Sequence, residues 1–231
     1  MKGITVITPT GDRPETFRLL CHYMDRQTVK PDQWIVIDDG KAKNNDWVWF
    51  LYCHYYRRKV YPNEIQHTLP LNLLEALKYV MYDTILIMED DDWYSPNYIE
   101  YMSTSQAKLF GQAHAVYYYI PEHVYYLHGN TVRASLCQTG FHSKLIPLVR
   151  DICKECIGAD SPFIDERLWK AHGVGGIYPK AKPLCVGMKG LPGRTGTPMG
   201  HVDLKKYTRD VDGKKLKSLI GNDIKLYKEW M

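Results

Sequence analysis

Four consecutive acids, Glu89-Asp90-Asp91-Asp92, follow directly on the apolar run Thr84-Ile85-Leu86-Ile87-Met88. Carboxylates this close repel one another unless something offsets their charge. A hard divalent cation does so, because Mg2+ and similar ions prefer carboxylate oxygens and keep positions open for phosphate oxygens and water. The competing reading is an acidic turn capping the helix that Pro96 opens. An EF-hand loop is excluded, since its spaced ligands and central glycine are missing. Asp38-Asp39-Gly40 ends a second apolar run, Trp34-Ile35-Val36-Ile37, and Thr8-Pro9-Thr10-Gly11-Asp12-Arg13 ends a third, Ile4-Thr5-Val6-Ile7. Either one alone reads equally as a turn.

Later residues add further groups. Asp160 precedes Ser161-Pro162, where a carboxylate serves as a general base or as a helix N-cap, and Asp165-Glu166 competes for the same role. Residues 187–201 read as a loop rich in glycine and proline. Within it, Lys189-Gly190-Leu191-Pro192-Gly193-Arg194-Thr195-Gly196 lets backbone N–H groups approach a phosphate while Arg194 adds charge. His201 follows as a single imidazole, either a metal ligand or an ordinary surface residue. Tyr117, Tyr118, Tyr119, Tyr125 and Tyr126 offer rings for sugars or bases, although strand alternation sends half of them into a core. Cys153-Lys154-Glu155-Cys156 is a CxxC with no second one facing it, which reads as packing.

The elements that must position these groups alternate. The β-branched run Ile4–Thr8 leads into a helix opened by Pro14 and Glu15, with Phe17, Leu20, Cys21 and Met24 on one face. Trp34–Ile37 is a strand buried on both sides, Leu69–Val80 an amphipathic helix, and Thr84–Met88 another buried strand. A β-α-β-α-β order predicts parallel strands, whose carboxyl ends share one ligand-binding edge. TPTGDR, DDG and EDDD should therefore converge on one crevice. Beyond residue 103, Val116–Ile120 and His123–Leu127 read as strands, Thr131–Leu136 as a further strand, and Leu145–Ile157 and Phe163–Ala171 as helices. From Leu204 onward, Leu216, Leu219, Ile220 and Ile224 keep helical spacing.

With 231 residues, 45% hydrophobic and 24% charged, the chain has the composition of a globular protein. No apolar run approaches the roughly 20 residues of a membrane span. The early strand leaves no room for a signal peptide, and six scattered cysteines suit reduced thiols in the cytoplasm, or in a host cytoplasm if the chain is viral. Residues 180–231 carry 12 Lys and Arg against 5 Asp and Glu, while residues 1–179 carry 18 against 21. A basic tail beside a mildly acidic body points to an anionic partner or to a solvated helix face.

In the order and spacing of Val6-Ile7-Thr8-Pro9-Thr10, Arg26-Gln27-Thr28, Trp34–Gly40 and Ile85–Pro96, the sequence resembles the GT-A glycosyltransferases, most closely the inverting family 2 type. The resemblance is close over about the first hundred residues and looser beyond. It implies a Rossmann-like α/β domain with a mixed, mostly parallel sheet flanked by helices, over residues 1–203. Residues 1–103 would be the nucleotide-sugar half and 104–203 the acceptor half, with 204–231 a basic helical extension. It also implies transfer of a sugar from a nucleoside-diphosphate sugar, a UDP-sugar by preference, to an acceptor hydroxyl, assisted by Mn2+ or Mg2+. Thr8, Pro9 and Thr10 would line the nucleotide pocket, Asp39 would hydrogen-bond the base with Asp38 beside it, and Asp90 would lie near the ribose or the sugar. Asp91 would hold the metal, as the last residue of a DxD-like motif reading Glu89-x-Asp91, and His201 would complete the metal shell. Asp160 would be the base. The family's arginine in the helix before the acidic strand has no counterpart in His67–Val80, which offers Asn72 and Lys78, so Arg13 takes its place. The acceptor is open between a glycan, a lipid-linked or protein acceptor, and a hydroxymethylated DNA base. A nucleotidyltransferase would need a glycine-rich first loop that Thr8–Pro14 lacks. A non-catalytic nucleotide- or glycan-binding module would not need both EDDD and Asp160.

Overall fold

The computed structural model describes the chain except residues 61–67, 158, 160–162, 174–175, 179–181 and 194–202. In chain order the strands are β1 (Ile4–Thr10), β2 (Gln33–Asp38), β3 (Cys53–Arg57), β4 (Thr84–Ile87), β5 (Trp93–Tyr94), β6 (Leu109–Gln112), β7 (Ala115–Tyr119), β8 (Val124–His128), β9 (Thr139–His142), β10 (Gly176–Tyr178), β11 (Cys185–Lys189) and β12 (Thr208–Arg209). The helices are α1 (Pro14–Asp25), α2 (Leu69–Ala76), α3 (Tyr98–Ser103), α4 (Ile146–Cys156), α5 (Ile164–His172) and α6 (Lys214–Ile220).

Among the described residues the main sheet runs β10-β6-β9-β4-β1-β2-β3. β3, β2, β1 and β4 are parallel, and β9 inserts antiparallel between β4 and β6. Strand alternation divides the core in two. Val6, Trp34, Val36 and Leu86 face α1, packing on Phe17, Leu20 and Met24. Ile7, Ile35, Ile37, Ile85 and Ile87 face the other way, onto Leu73 and Ala76 of α2 and Val149 and Ile152 of α4. All six β2 side chains are buried, as a strand covered on both faces requires. Pro14 at the first position of α1 loses no hydrogen bond there, because that N–H has no helical partner in any case.

A second, smaller sheet runs β12-β8-β7-β11-β5. Its β5 continues directly from the acidic turn and pairs antiparallel with β11, so the turn is shared between the two sheets. Three expectations change here. Thr131–Leu136 forms a turn leading to a short 3-10 helix at Leu136–Gln138, held by Asn130, whose side-chain oxygen accepts from the Val132 and Arg133 N–H groups. The start of the glycine-rich stretch is not a loop, since Gly187 to Lys189 lie in β11, parallel to β7. The α2 helix ends at Ala76 rather than Val80.

The tail joins the main core. Leu216, Ile220 and Tyr227 are buried with the α1 residues, and the Tyr227 hydroxyl meets that of Tyr23 at 2.6 Å. Tyr227→Ala should therefore lower the unfolding free energy by about 3–5 kcal/mol in a urea titration. A loss under about 1 kcal/mol would show the tail to be peripheral.

Candidate active site

The carboxyl ends of β1, β2 and β4 meet at one edge, and buried hydrogen bonds lock their polar termini together. The Trp34 indole N–H donates to the Thr8 hydroxyl, and that hydroxyl donates to the Met88 carbonyl, both at 2.9 Å. The Thr10 carbonyl accepts the Asp39 N–H at 3.2 Å, and the Thr10 hydroxyl donates to Asp90 at 2.6 Å. Pro9 lies opposite Ile37 in the β1–β2 register. Asp38 turns inward. Its oxygens accept the Gly40 N–H at 2.7 Å and the Tyr55 hydroxyl, so it shapes the turn. Asp12, with φ at +51°, caps the same turn by accepting the Lys41 N–H at 2.6 Å. A Cβ on Gly40 would stand 2.5 Å from the Asp12 nitrogen, so the two turns meet only because position 40 is glycine.

Beside these turns lies a cleft of about 450 Å3 lined by Asp12, Asp39, Gly40, Lys41, Arg57, Arg58 and their neighbours. That volume suits a nucleotide-sized ligand. The Asp39 carboxylate pairs with Arg58 at 3.2 Å, and Arg58 Nε donates to Asn72 at 2.6 Å. Arg57, Arg58 and Lys59 escaped the sequence reading because β3 did. The consecutive basic residues after Tyr55-Tyr56 were the available signal.

The acidic turn sits between two cations. Arg13 reaches Asp90 at 2.8 Å and Asp91 at 4.0 Å. Lys189, at the end of β11, reaches Asp92 at 3.9 Å from the other side, and Asp92 also accepts the Met188 N–H at 3.1 Å. Burial raises the Asp90 carboxyl to about 7, with Arg13 opposing, and Asp92 to about 6, with Lys189 opposing. Glu89 is pushed well above the usual carboxylate range by burial and by Asp92. Burial works against the charge of Lys189, but Asp92, Asp91 and Glu89 outweigh it and raise its pKa.

A divalent cation fits this cluster. Fully ionised, the four carboxyls would exceed Arg13 and Lys189 by two negative charges, an excess that a cation offsets and that otherwise favours protonation. The buried Asp90 Oδ1 makes its ion pair but accepts no hydrogen bond among the described residues, and the Asp91 carboxyl is 14% exposed.

Past Lys189, Asp165 stands in the first turn of α5, paired with Arg133 at 2.8 Å. Burial raises its pKa against the pull of Arg133, and its charge acts on Glu89 and Tyr117. Asp160, Arg194 and His201 lie outside the described residues. Thr8, Pro9, Thr10, Arg13, Asp39, Asp90 and Asp91 thus gather at one edge, with Asp38 behind them.

Residues 5–154 match the sequence profile described as Glycosyl transferase family 2. The chain belongs to glycosyl transferase family 2. The match takes in the cleft and the acidic turn and ends before Asp165. No curated protein sequence matches the chain. Among solved structures, S. aureus TarS is similar at a TM-score of 0.57 and 13% identity, over 83% of this chain and 37% of that one. TarS 1–349 in complex with UDP gives a TM-score of 0.57 at 13% identity, over 83% and 62% of the two chains. The UDP-GlcNAc complex of TarS 1–349 gives 0.51 at 10%, over 100% and 73%. The match therefore spans little more than a third of that TarS chain. The family 2 fold is the mostly parallel α/β arrangement described above, and no helix of the described residues is long and apolar enough to cross a membrane.

The raised carboxyls fix a pH dependence. Asp90 and Asp92 hold protons more tightly folded than unfolded, where carboxyls titrate near about 4. Their contribution to stability is therefore fully present below about pH 4 and is lost as pH rises through about 6 and 7. Melting temperatures measured in chelator should decline from pH 5 to 8, and Mn2+ should restore them most at pH 8. A flat profile with no Mn2+ effect would contradict this account of the cluster.

Proposed function

We propose that the chain transfers a sugar from a UDP-sugar to an acceptor hydroxyl with inversion, Asp165 taking the hydroxyl proton. The observation that carries this reading is the order of charged groups along the sheet edge. Asp39 and Arg58 flank the cleft, Asp90 and Arg13 follow, then Asp91, then Asp165 with Arg133. That order matches the parts of a nucleoside-diphosphate sugar: base, ribose, diphosphate, sugar and, beyond it, the acceptor. The UDP and UDP-GlcNAc complexes of TarS support a UDP-sugar donor.

Asp91, and the Asp90 oxygen that faces Arg13 without accepting a hydrogen bond, would hold the metal. Bound Mn2+ or Mg2+ supplies Lewis-acid stabilisation of the negative charge on the departing diphosphate. Asp39 and Arg58 orient the base. Arg13 keeps Asp90 in place and adds positive charge near the phosphates. The acceptor oxygen attacks the anomeric carbon as its proton passes to Asp165, and the bond from that carbon to the diphosphate oxygen breaks. A raised pKa makes Asp165 a stronger base than an exposed aspartate. Asp160 is the alternative base, and Arg194 and His201 would close over the diphosphate and the metal. Six free thiols fit a reducing compartment.

The test is UDP release from UDP-sugars with an acceptor panel. Asp165→Asn should lower kcat about 10²–10⁴-fold and leave UDP affinity unchanged, with Asp160→Asn near wild type. The reverse pattern would return the base to Asp160, and UDP-sugar binding without turnover on any acceptor would favour a binding module.

A further inference from the structure

The second sheet presents one face toward the site, and its register sets what that face carries. Gly187 pairs with Tyr117, Tyr117 with Tyr126, and Tyr126 packs at 5.7 Å on Tyr207, the residue before β12, so the row crosses three strands and ends at the sheet edge. Alternation puts Lys189 and His128 on the same face. The Lys189 ammonium lies 5.8 Å over the Tyr117 ring, and the His128 ring is 5.6 Å from that of Tyr126. A Cβ at position 187 would stand 2.5 Å from the Tyr117 ring, so the glycine is what lets that ring lie against β11. The opposite face carries Val116, Tyr118, Val186 and Met188, which are core.

The face is electropositive as well as aromatic. The His128 pKa is lowered first by burial and then by Arg133 and Lys206. Lys205 and Arg209 are exposed on either side of Tyr207, and Lys206 beside them pairs with Asp203 at 3.5 Å, which leaves the cations in excess. Arg133 holds Asp165, so the ring row lies beside the proposed base and runs on to the acidic turn through Lys189.

We infer that this face is the acceptor platform and that the acceptor is a strand of nucleic acid. The inference rests on the transferase reading of the same site. Rings on neighbouring strands of one sheet face stack on successive bases whatever their identity, and flanking lysines and arginines take the phosphates. A neutral glycan would use the rings but not the cations. A simple polyanion would use the cations but not the rings.

The test is an anisotropy titration of the full chain with a labelled single strand of about a dozen nucleotides, beside a UDP titration of the same samples. Binding should weaken steeply with salt. Tyr126→Ala and Tyr207→Ala should each weaken it by about tenfold, while Tyr126→Phe and UDP affinity stay at wild type. Tyr207 sits at the sheet edge, so its variant carries the test if Tyr126→Ala fails to fold. No strand binding by a chain that binds UDP, binding that both alanine variants leave intact, or equal affinity for polyphosphate would each overturn the inference. Loss of UDP binding in the wild type would instead sink the donor reading.

Discussion

Four carboxyl groups on consecutive residues at the end of a buried strand cannot all stay charged and dry. Arg13 and Lys189 flank them without neutralising them, and the Asp90 and Asp92 carboxyls respond by holding on to protons. The tension is the kind expected where structure serves chemistry rather than stability. A turn built only to cap a helix has no need of two buried acids, Asp90 and Asp92.

Much of the fold serves to hold that turn still. Its front is tied to β1 by the Thr10 hydroxyl and, through Met88, by the Thr8 hydroxyl. Its back is tied to β11, where Met188 and Lys189 hold Asp92. Tyr94 accepts the Glu89 N–H at 2.7 Å. The Trp93 indole donates to Asp223 at 2.6 Å, and Asp223 also pairs with Arg26. The basic tail thus reaches the acidic turn through the Asp223 carboxylate. A turn held from both sheets and from the tail is a pre-organised one, which catalytic and metal sites require.

The first hundred residues were legible because their strands are continuous apolar runs that end in acids. Ile4–Thr10, Gln33–Asp38 and Thr84–Ile87 fall where the patterns place them, and the convergence of their ends follows from parallel topology. β3 was not legible. It is an edge strand whose residues are half-buried on both faces, so Cys53–Arg57 shows no alternation, and the arginine beside Asp39 went with it. Gly187 misled for another reason. Glycine count suggested a loop, whereas the glycine there makes room for the Tyr117 ring within a strand. Lys189 and Arg133 owe their roles to contacts made across long sequence distances, which local pattern does not encode. The tail's spacing at Leu216 and Ile220 was readable, but not its burial against α1.

The central claim is that the acidic turn binds a nucleoside diphosphate through a divalent cation. Calorimetric titration of UDP, with Mn2+ and with chelator, into wild type and Asp91→Ala tests it most directly. Metal and nucleotide sharing one site must strengthen each other, here by about tenfold or more, and the coupling should vanish in Asp91→Ala while the fold persists. Equal UDP affinity with and without Mn2+ in the wild type, or coupling that survives in the variant, would contradict it.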